Sequence, residues 1–178
     1  MILSEYNSEW RVWFIRLAHV LRITLGEDIV TIEHVGSTAV PGMFAKPIID
    51  IDIVIENDNV LPTIIRKLGA LGYRHTGDQG IAGREVFKNI DAHVPYAEPP
   101  TEWINHHLYV CTKDNEELKR HIRFRNHLLD NADARNKYNE IKLSIIRDFG
   151  NDDRKVYQDA KNERATALIN EILMTAHD

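Results

Sequence analysis

Two aspartates, Asp50 and Asp52, stand one residue apart inside the apolar run IIDIDIVIE at 48–56, and this pair is the first candidate for chemistry. On an extended strand, residues two apart point to the same side with Cα atoms roughly 6.6 Å apart. Both carboxylates therefore face one way, and each raises the other's pKa unless positive charge stands between them. A divalent cation meets that need, because a hard ion such as Mg²⁺ takes one or two carboxylates together with phosphate oxygens. The spacing suits a metal-chelated nucleotide. Taken alone, an Asp-x-Asp also decorates solvated strand edges, where acids are commonly found.

The residues upstream favour the first reading. A β-branched run, IVTIEHV at 29–35, ends in Gly36-Ser37, about a dozen residues before the aspartates. Glycine lets the backbone approach a phosphate closely, and the Ser37 hydroxyl with neighbouring N–H groups can bind its oxygens. GSTAVPGM lacks the Gly-Lys-Ser/Thr ending of a P-loop and is not a Gly-x-Gly-x-x-Gly dinucleotide turn. Lys46 precedes Pro47, so its backbone is biased toward extended geometry; it either neutralises a phosphate or is a surface lysine. Arg123 and Arg125 diverge by about 200° on a helix, so at most one faces a given ligand, and Arg125 is the one expected to do so. Tyr138 with Lys142, and Tyr157 with Lys161, are i, i+4 pairs that share a helix face. They either frame a base or sugar above the phosphates or join a packing seam with Ile141, Ile145 and Leu168, the lysines snorkelling from it.

Other residues point away from chemistry. Of the nine histidines, His121 and His127 are six apart and share no helix face, so zinc is not expected. Trp10, Trp13 and Phe14 read as core and boundary residues of the first helix. Cys111 sits at a strand end with no neighbour that would activate a thiolate.

These groups need a scaffold. Trp10, Phe14, Leu17, Leu21 and Leu25 recur at helical intervals over 4–25, and Gly26 closes the pattern. Strands are predicted over 29–35 and 48–56, the second with Ile49, Ile51, Ile53 and Ile55 on one face and Asp50, Asp52 and Val54 on the other. A helix over 59–71 follows, then a glycine-punctuated hairpin of YRHT against EVFKNID, and HHLYVC at 106–111 is the last strand. From Asp114 onward no proline appears, and three helices fit, near 114–130, 132–149 and 152–176, the last capped by Asn151 or Asp152. The order predicts an α+β fold, a mixed sheet with flanking helices. Residues 1–113 would form the core and 114–178 a helical region packed on it as one globular unit.

The totals exclude several classes. At 178 residues and 43% hydrophobic content, the chain supports one domain with a real core. A net charge of −5, from 27 acids against 22 bases, gives no field for long nucleic acid. A single cysteine excludes an internal disulfide framework. MILSEYNSEW has no signal-peptide pattern and no stretch is long and apolar enough to span a bilayer, so a cytoplasmic, membrane-free protein is expected.

The Gly-Ser turn followed by Asp-x-Asp resembles the signature of the nucleotidyltransferase superfamily. The longer string EHVGSTAVPGMFAKPIIDIDI, with HHLYV at 106–110, RFRNHLL at 123–129, YNEIK at 138–142 and YQDAK at 157–161, resembles the GrpB family of predicted nucleotidyltransferases over nearly the whole chain. The resemblance implies a nucleotidyltransferase-like sheet, with Gly36 and Ser37 on the first turn and Asp50 and Asp52 as ligands of Mg²⁺ or Mn²⁺. It also implies a third acid on a later strand, as metal ligand or general base. This chain departs there: HHLYV offers histidine. His106 and His107 are adjacent, so one of them faces the aspartates; His107 is expected, with Asp91 as the rival. The implied activity is transfer of a nucleoside monophosphate from an NTP to a small-molecule acceptor. The alternative is a non-catalytic nucleotide- or metabolite-binding module of the same fold.

Overall fold

In a computed structural model, residues 3–150 and 153–175 are described. The alternating isoleucines form the central strand. Strand β2 (Ile49–Ile55) pairs antiparallel with β1 (Thr31–Val35) on one side and parallel with β5 (His106–Thr112) on the other. Beyond β5 lie β4 (Arg84–Asn89) and β3 (Tyr73–His75), both antiparallel, so the five-stranded mixed sheet runs β1-β2-β5-β4-β3.

The two faces have opposite chemistry. Ile49, Ile51, Ile53 and Ile55 are buried with Leu108, Val110 and Phe87 against α1 (Glu9–Leu25) and α2 (Leu61–Ala70), through Trp10, Leu17, Leu21, Leu25, Ile64 and Leu68. Full burial of each isoleucine contributes roughly 1.5–3 kcal/mol over exposure. A one-residue register slip would exchange those four for Asp50 and Asp52 in the core, so apolar burial itself fixes which way the aspartates point. On the other face α3 (Glu116–Asp130) covers Val54 and Cys111 with Leu118 and Ile122. Helices α4 (Ala132–Phe149) and α5 (Arg154–Thr175) pack beside it and close over Val40, Met43 and Leu3. Asn131 ends α3 and caps α4 by accepting from Ala134 N, which makes the turn between them abrupt.

Some boundaries differ from expectation. Helix α1 begins at Glu9, not near Ser4, because the Ser4 backbone exchanges two hydrogen bonds of 2.9 Å with Ala45 and Asn7 Oδ1 then accepts from Glu9 N. β1 begins at Thr31 because residues 26–28 form one turn of 3₁₀ helix. The expected caps Asn151 and Asp152 lie outside the described residues; Asp153 Oδ1 accepts from the backbone N–H groups of Lys155 and Val156 at the start of α5. Among the described residues, no helix is long and apolar enough to cross a membrane.

Candidate functional site

Parallel register places Asp50 opposite His107 and Asp52 opposite Tyr109, so all four share the face turned toward α3, α4 and α5. The Gly36 turn comes down onto Asp50. Gly36 has φ +73°, and a Cβ there would lie 2.3 Å from Asp50 Oδ2, so both the backbone and the space demand glycine. Ser37–Ala39 make one 3₁₀ turn. Burial pulls His34 down to about 4, against Asp50 and with Arg125, so its ring is neutral. Thr38 Oγ1 donates to Ile48 O at 3.2 Å and therefore accepts from His34 Nε2 at 3.1 Å. This chain of bonds ties the turn to the start of β2.

The two aspartates have different partners. His107 Nδ1 lies 2.8 Å from Asp50 Oδ1, and both side chains are partly exposed to a cavity. Asp52 is fully buried and its Oδ2 is 2.7 Å from His121 Nδ1. His121 Nε2 lies 3.3 Å from Glu117 Oε1, so both ring nitrogens face carboxylates and the ring is an imidazolium. Burial opposes the charge on His121, but the bond to Asp52 and the charges of Asp52, Glu117 and Asp50 outweigh it and raise its pKa. Burial likewise raises Asp52, with His121 acting against the shift. Asp52 Oδ1 is buried without a hydrogen-bond partner among the described residues. His106 faces the opposite side, donating from Nδ1 to Ile104 O and accepting from the Tyr73 hydroxyl. Asp91, the rival for the third position, lies elsewhere, bound to His93 N and the Tyr96 hydroxyl.

A cavity of about 290 Å³ opens above Asp50 and His107. Ser37 and Lys46 line one wall, and Tyr138 and Lys142 of α4 with Tyr157 and Lys161 of α5 line the other. Tyr138 and Tyr157 join helix-packing clusters and also line the cavity, but Lys142 is buried rather than snorkelling outward. Lys46 Nζ sits 4.6 Å from the Tyr157 ring centroid, and Lys142 Nζ 4.7 Å from that of Tyr138. Asn139, one turn before Lys142, holds the 42–44 loop through Phe44 N and Gly42 O. Lys142 Nζ donates to Phe44 O and to Ser37 Oγ. Arg125 is not brought here. Its guanidinium donates to Glu33 Oε2 at 2.7 Å and His34 O at 2.9 Å, because the helix turn that seats His121 on Asp52 carries Arg125 to the edge strand β1.

Burial, reinforced by Lys161, pulls Lys142 down to about 7. The unfolded chain binds this proton below the ordinary 10.5, the native state only near 7, so this site's contribution to stability rises with pH across that window. Lys142→Met removes the buried cation at nearly constant length. It should stabilise the protein at pH 7 by on the order of 1 kcal/mol, after loss of the bonds to Phe44 and Ser37, and raise Tm by roughly 2–4 °C. The gain should fade by about pH 10, as thermal melts across pH would reveal; a lower Tm at pH 7 refutes the assignment.

Sequence reasoning passed over His121, Tyr109 and Arg84. Glu117, His121 and Arg125 recur every fourth residue, so they share one face of α3, and this spacing was the available signal for His121. Tyr109 and Arg84 carry no comparable signal, because their meeting depends on the pairing of β4 with β5.

The chain is similar to several known proteins. A family model described as GrpB protein matches residues 1–173. The chain is 32% identical over 178 residues to UPF0157 protein BH1888 of Halalkalibacterium halodurans, covering 98% of this chain and 82% of that one. It is 30% identical over 140 residues, 79% of this chain, to UPF0157 protein YqkA of Bacillus subtilis, and spans 38% of that protein's length. Among solved structures it is similar to the conserved protein GrpB from Enterococcus faecalis, with TM-score 0.78 and 28% identity over 98% of this chain and 96% of that chain. It is also similar to the Cid1 poly(U) polymerase, with TM-score 0.53 and 12% identity over 78% of this chain and 42% of that chain. At that identity the second likeness concerns the fold alone, which is nucleotidyltransferase-like.

Proposed function

The chain belongs to the GrpB family, and from that premise we propose that its cleft transfers a nucleoside monophosphate from an NTP to a small-molecule hydroxyl. The observation that carries the reading is the Asp50–His107 pair on the floor of a cavity lined by Lys46, Lys142 and Lys161, beside the Gly36-Ser37 turn. Three lysines around about 290 Å³ suit a polyphosphate far better than a neutral metabolite.

His107 Nδ1–H donates to Asp50 Oδ1, so the ring keeps its lone pair on Nε2. In the reaction the acceptor hydroxyl gives its proton to Nε2 as its oxygen forms a bond to the α-phosphorus. The bond from that phosphorus to the α,β-bridging oxygen breaks, and pyrophosphate leaves with the electron pair. Ser37 and the lysines hold the leaving phosphates, and Tyr138 and Tyr157 bound the remainder of the donor.

The Asp50 carboxylate fits a divalent ion that arrives on the polyphosphate. Asp50 opens to the cavity, whereas Asp52, expected as its fellow ligand, is fully buried on His121 and does not line it, and no group of three acids, histidines or cysteines suited to a metal exists among the described residues. Phosphate oxygens would complete the shell, as Mg²⁺ prefers. At the cavity Asp50 would hold the ion, which when bound supplies charge neutralisation at the phosphates.

A second reading, a non-catalytic nucleotide-binding module, is favoured by the histidine partner that each aspartate already has. Pyrophosphate release separates the two. With Mg²⁺ or Mn²⁺, a panel of NTPs and hydroxyl acceptors should give pyrophosphate and a matching gain in acceptor mass. Nucleotide binding without pyrophosphate from any acceptor would establish the module instead.

A further inference from the structure

We propose that a second cavity, beside His107 on the β4 side of the sheet, is the acceptor subsite, and that the acceptor is a small hydroxyl compound carrying one anionic group, phosphate or carboxylate, held by Arg84 and Lys88. The inference rests on the nucleotidyl-transfer reading and names the substrate class that reading leaves open.

The second cavity encloses about 200 Å³ between β4, β5 and the loop bearing Gln79. His107 and Tyr109 line both cavities and so form the wall between them. The first cavity lies on the β2 side of that wall, with the lysines. The second lies on the β4 side, where pairing with β5 runs from Arg84↔Cys111 to Phe87↔Leu108. Strand alternation and the pairing of Val86 with Tyr109 put Arg84, Val86 and Lys88 on the same face as His107. A hydroxyl reaching past this wall meets the proton-accepting ring, and displacement requires that its oxygen approach the α-phosphorus in line with the departing pyrophosphate.

Charge identifies the ligand. Arg125 is paired with Glu33 and Arg164 with Asp148, whereas Arg84 forms no salt bridge among the described residues, in a chain richer in acids than bases. Its Nε is buried without a hydrogen-bond partner, and its guanidinium lies 4.8 Å from the Tyr109 ring centroid, which fixes the planar fork beside the cavity. A buried, orphaned guanidinium donor calls for an anion with paired oxygens, which phosphate and carboxylate both offer. Lys88 is exposed on the cavity rim and adds a second positive charge, while Gln79 and Asn89 offer neutral polar contacts. The volume admits a small metabolite and excludes a nucleic acid strand.

Calorimetric titration of the full-length protein tests this with matched probes: ribose 5-phosphate against ribose, glycerol 3-phosphate against glycerol, and glycerate as the carboxylate arm. At least one anionic probe should bind about tenfold or more tightly than its neutral parent, and Arg84→Gln should remove that advantage. Lys88→Gln, at an exposed position where folding is not at stake, should reduce it several-fold. Neither change should alter the thermal shift given by ATP with Mg²⁺, which Lys142→Met should diminish. Equal binding of charged and neutral probes overturns the subsite, as does an advantage that survives both substitutions. Absence of any ATP shift in the wild-type protein strikes the nucleotidyl-transfer reading instead, and is scored separately because the anion titrations contain no nucleotide.

Discussion

His121→Ala should destabilise the protein by about 3–5 kcal/mol at neutral pH, because it strips the counter-charge from a carboxylate that has no exposure to water. For a chain of this size that corresponds to a fall in Tm of roughly 6–20 °C. The dependence on pH distinguishes lost charge from lost packing. Without His121, burial holds the native pKa of Asp52 still further above its ordinary 3.8, so the unfolded state releases the proton first and stability falls as pH rises from there. In the wild-type protein His121 limits that loss. Its own contribution, from a native pKa raised above 6.5, is fully present below 6.5 and declines as pH rises through the raised value. The deficit of the variant should therefore be small near pH 4, widen toward pH 6.5 and narrow again at alkaline pH. Adding Asp52→Asn should return part of the loss, since the stranded group is then neutral. Denaturant unfolding at several pH values gives the curve, and a deficit independent of pH would show that His121 is a packing residue.

Asp50→Asn and His107→Gln should each lower pyrophosphate release by roughly 10²–10⁴-fold, the usual range for losing a positioned proton acceptor. The two side chains act as one unit through a 2.8 Å contact, so the double variant should be little worse than the poorer single one. Asparagine keeps the shape of Asp50, and its Oδ1 can still accept from Nδ1, but the charge that stabilises the imidazolium is gone. In His107→Gln the loss should therefore fall on kcat while nucleotide binding by the three lysines persists, whereas Asp50→Asn should also weaken binding of the metal-chelated nucleotide. Steady-state kinetics on the acceptor that supports turnover, with nucleotide affinity measured separately, decides the matter. Multiplying losses in the double variant would mean that the pair is not a unit, and unchanged turnover in His107→Gln would remove it as the proton acceptor.

Much of this site was legible in one dimension because its parts are local. Period-two alternation placed Asp50 and Asp52 on one face of β2, since the same alternation buried four isoleucines on the other. The Gly36-Ser37 turn could be read from the strand before it, although the reason for glycine, the 2.3 Å approach to Asp50, is a tertiary contact. Arg125 went astray for a similar reason. Helical spacing says that Arg123 and Arg125 point apart, but not which direction meets the cavity, and the nearby Glu33 on β1 took the guanidinium.

The sequence by itself determined the family, the α+β class, the facing of the aspartates and the i, i+4 Tyr-Lys pairs, because each depends on backbone periodicity over a few residues. The tertiary structure alone decided that His107 serves Asp50 and His121 serves Asp52, that Lys142 is buried against Phe44 and Ser37, and that Arg84 stands unpaired beside Tyr109. These are encounters between segments 25 to 105 residues apart. Their partners and charge states follow from sheet order, helix seating and exclusion of water, quantities that exist only once the chain has closed on itself.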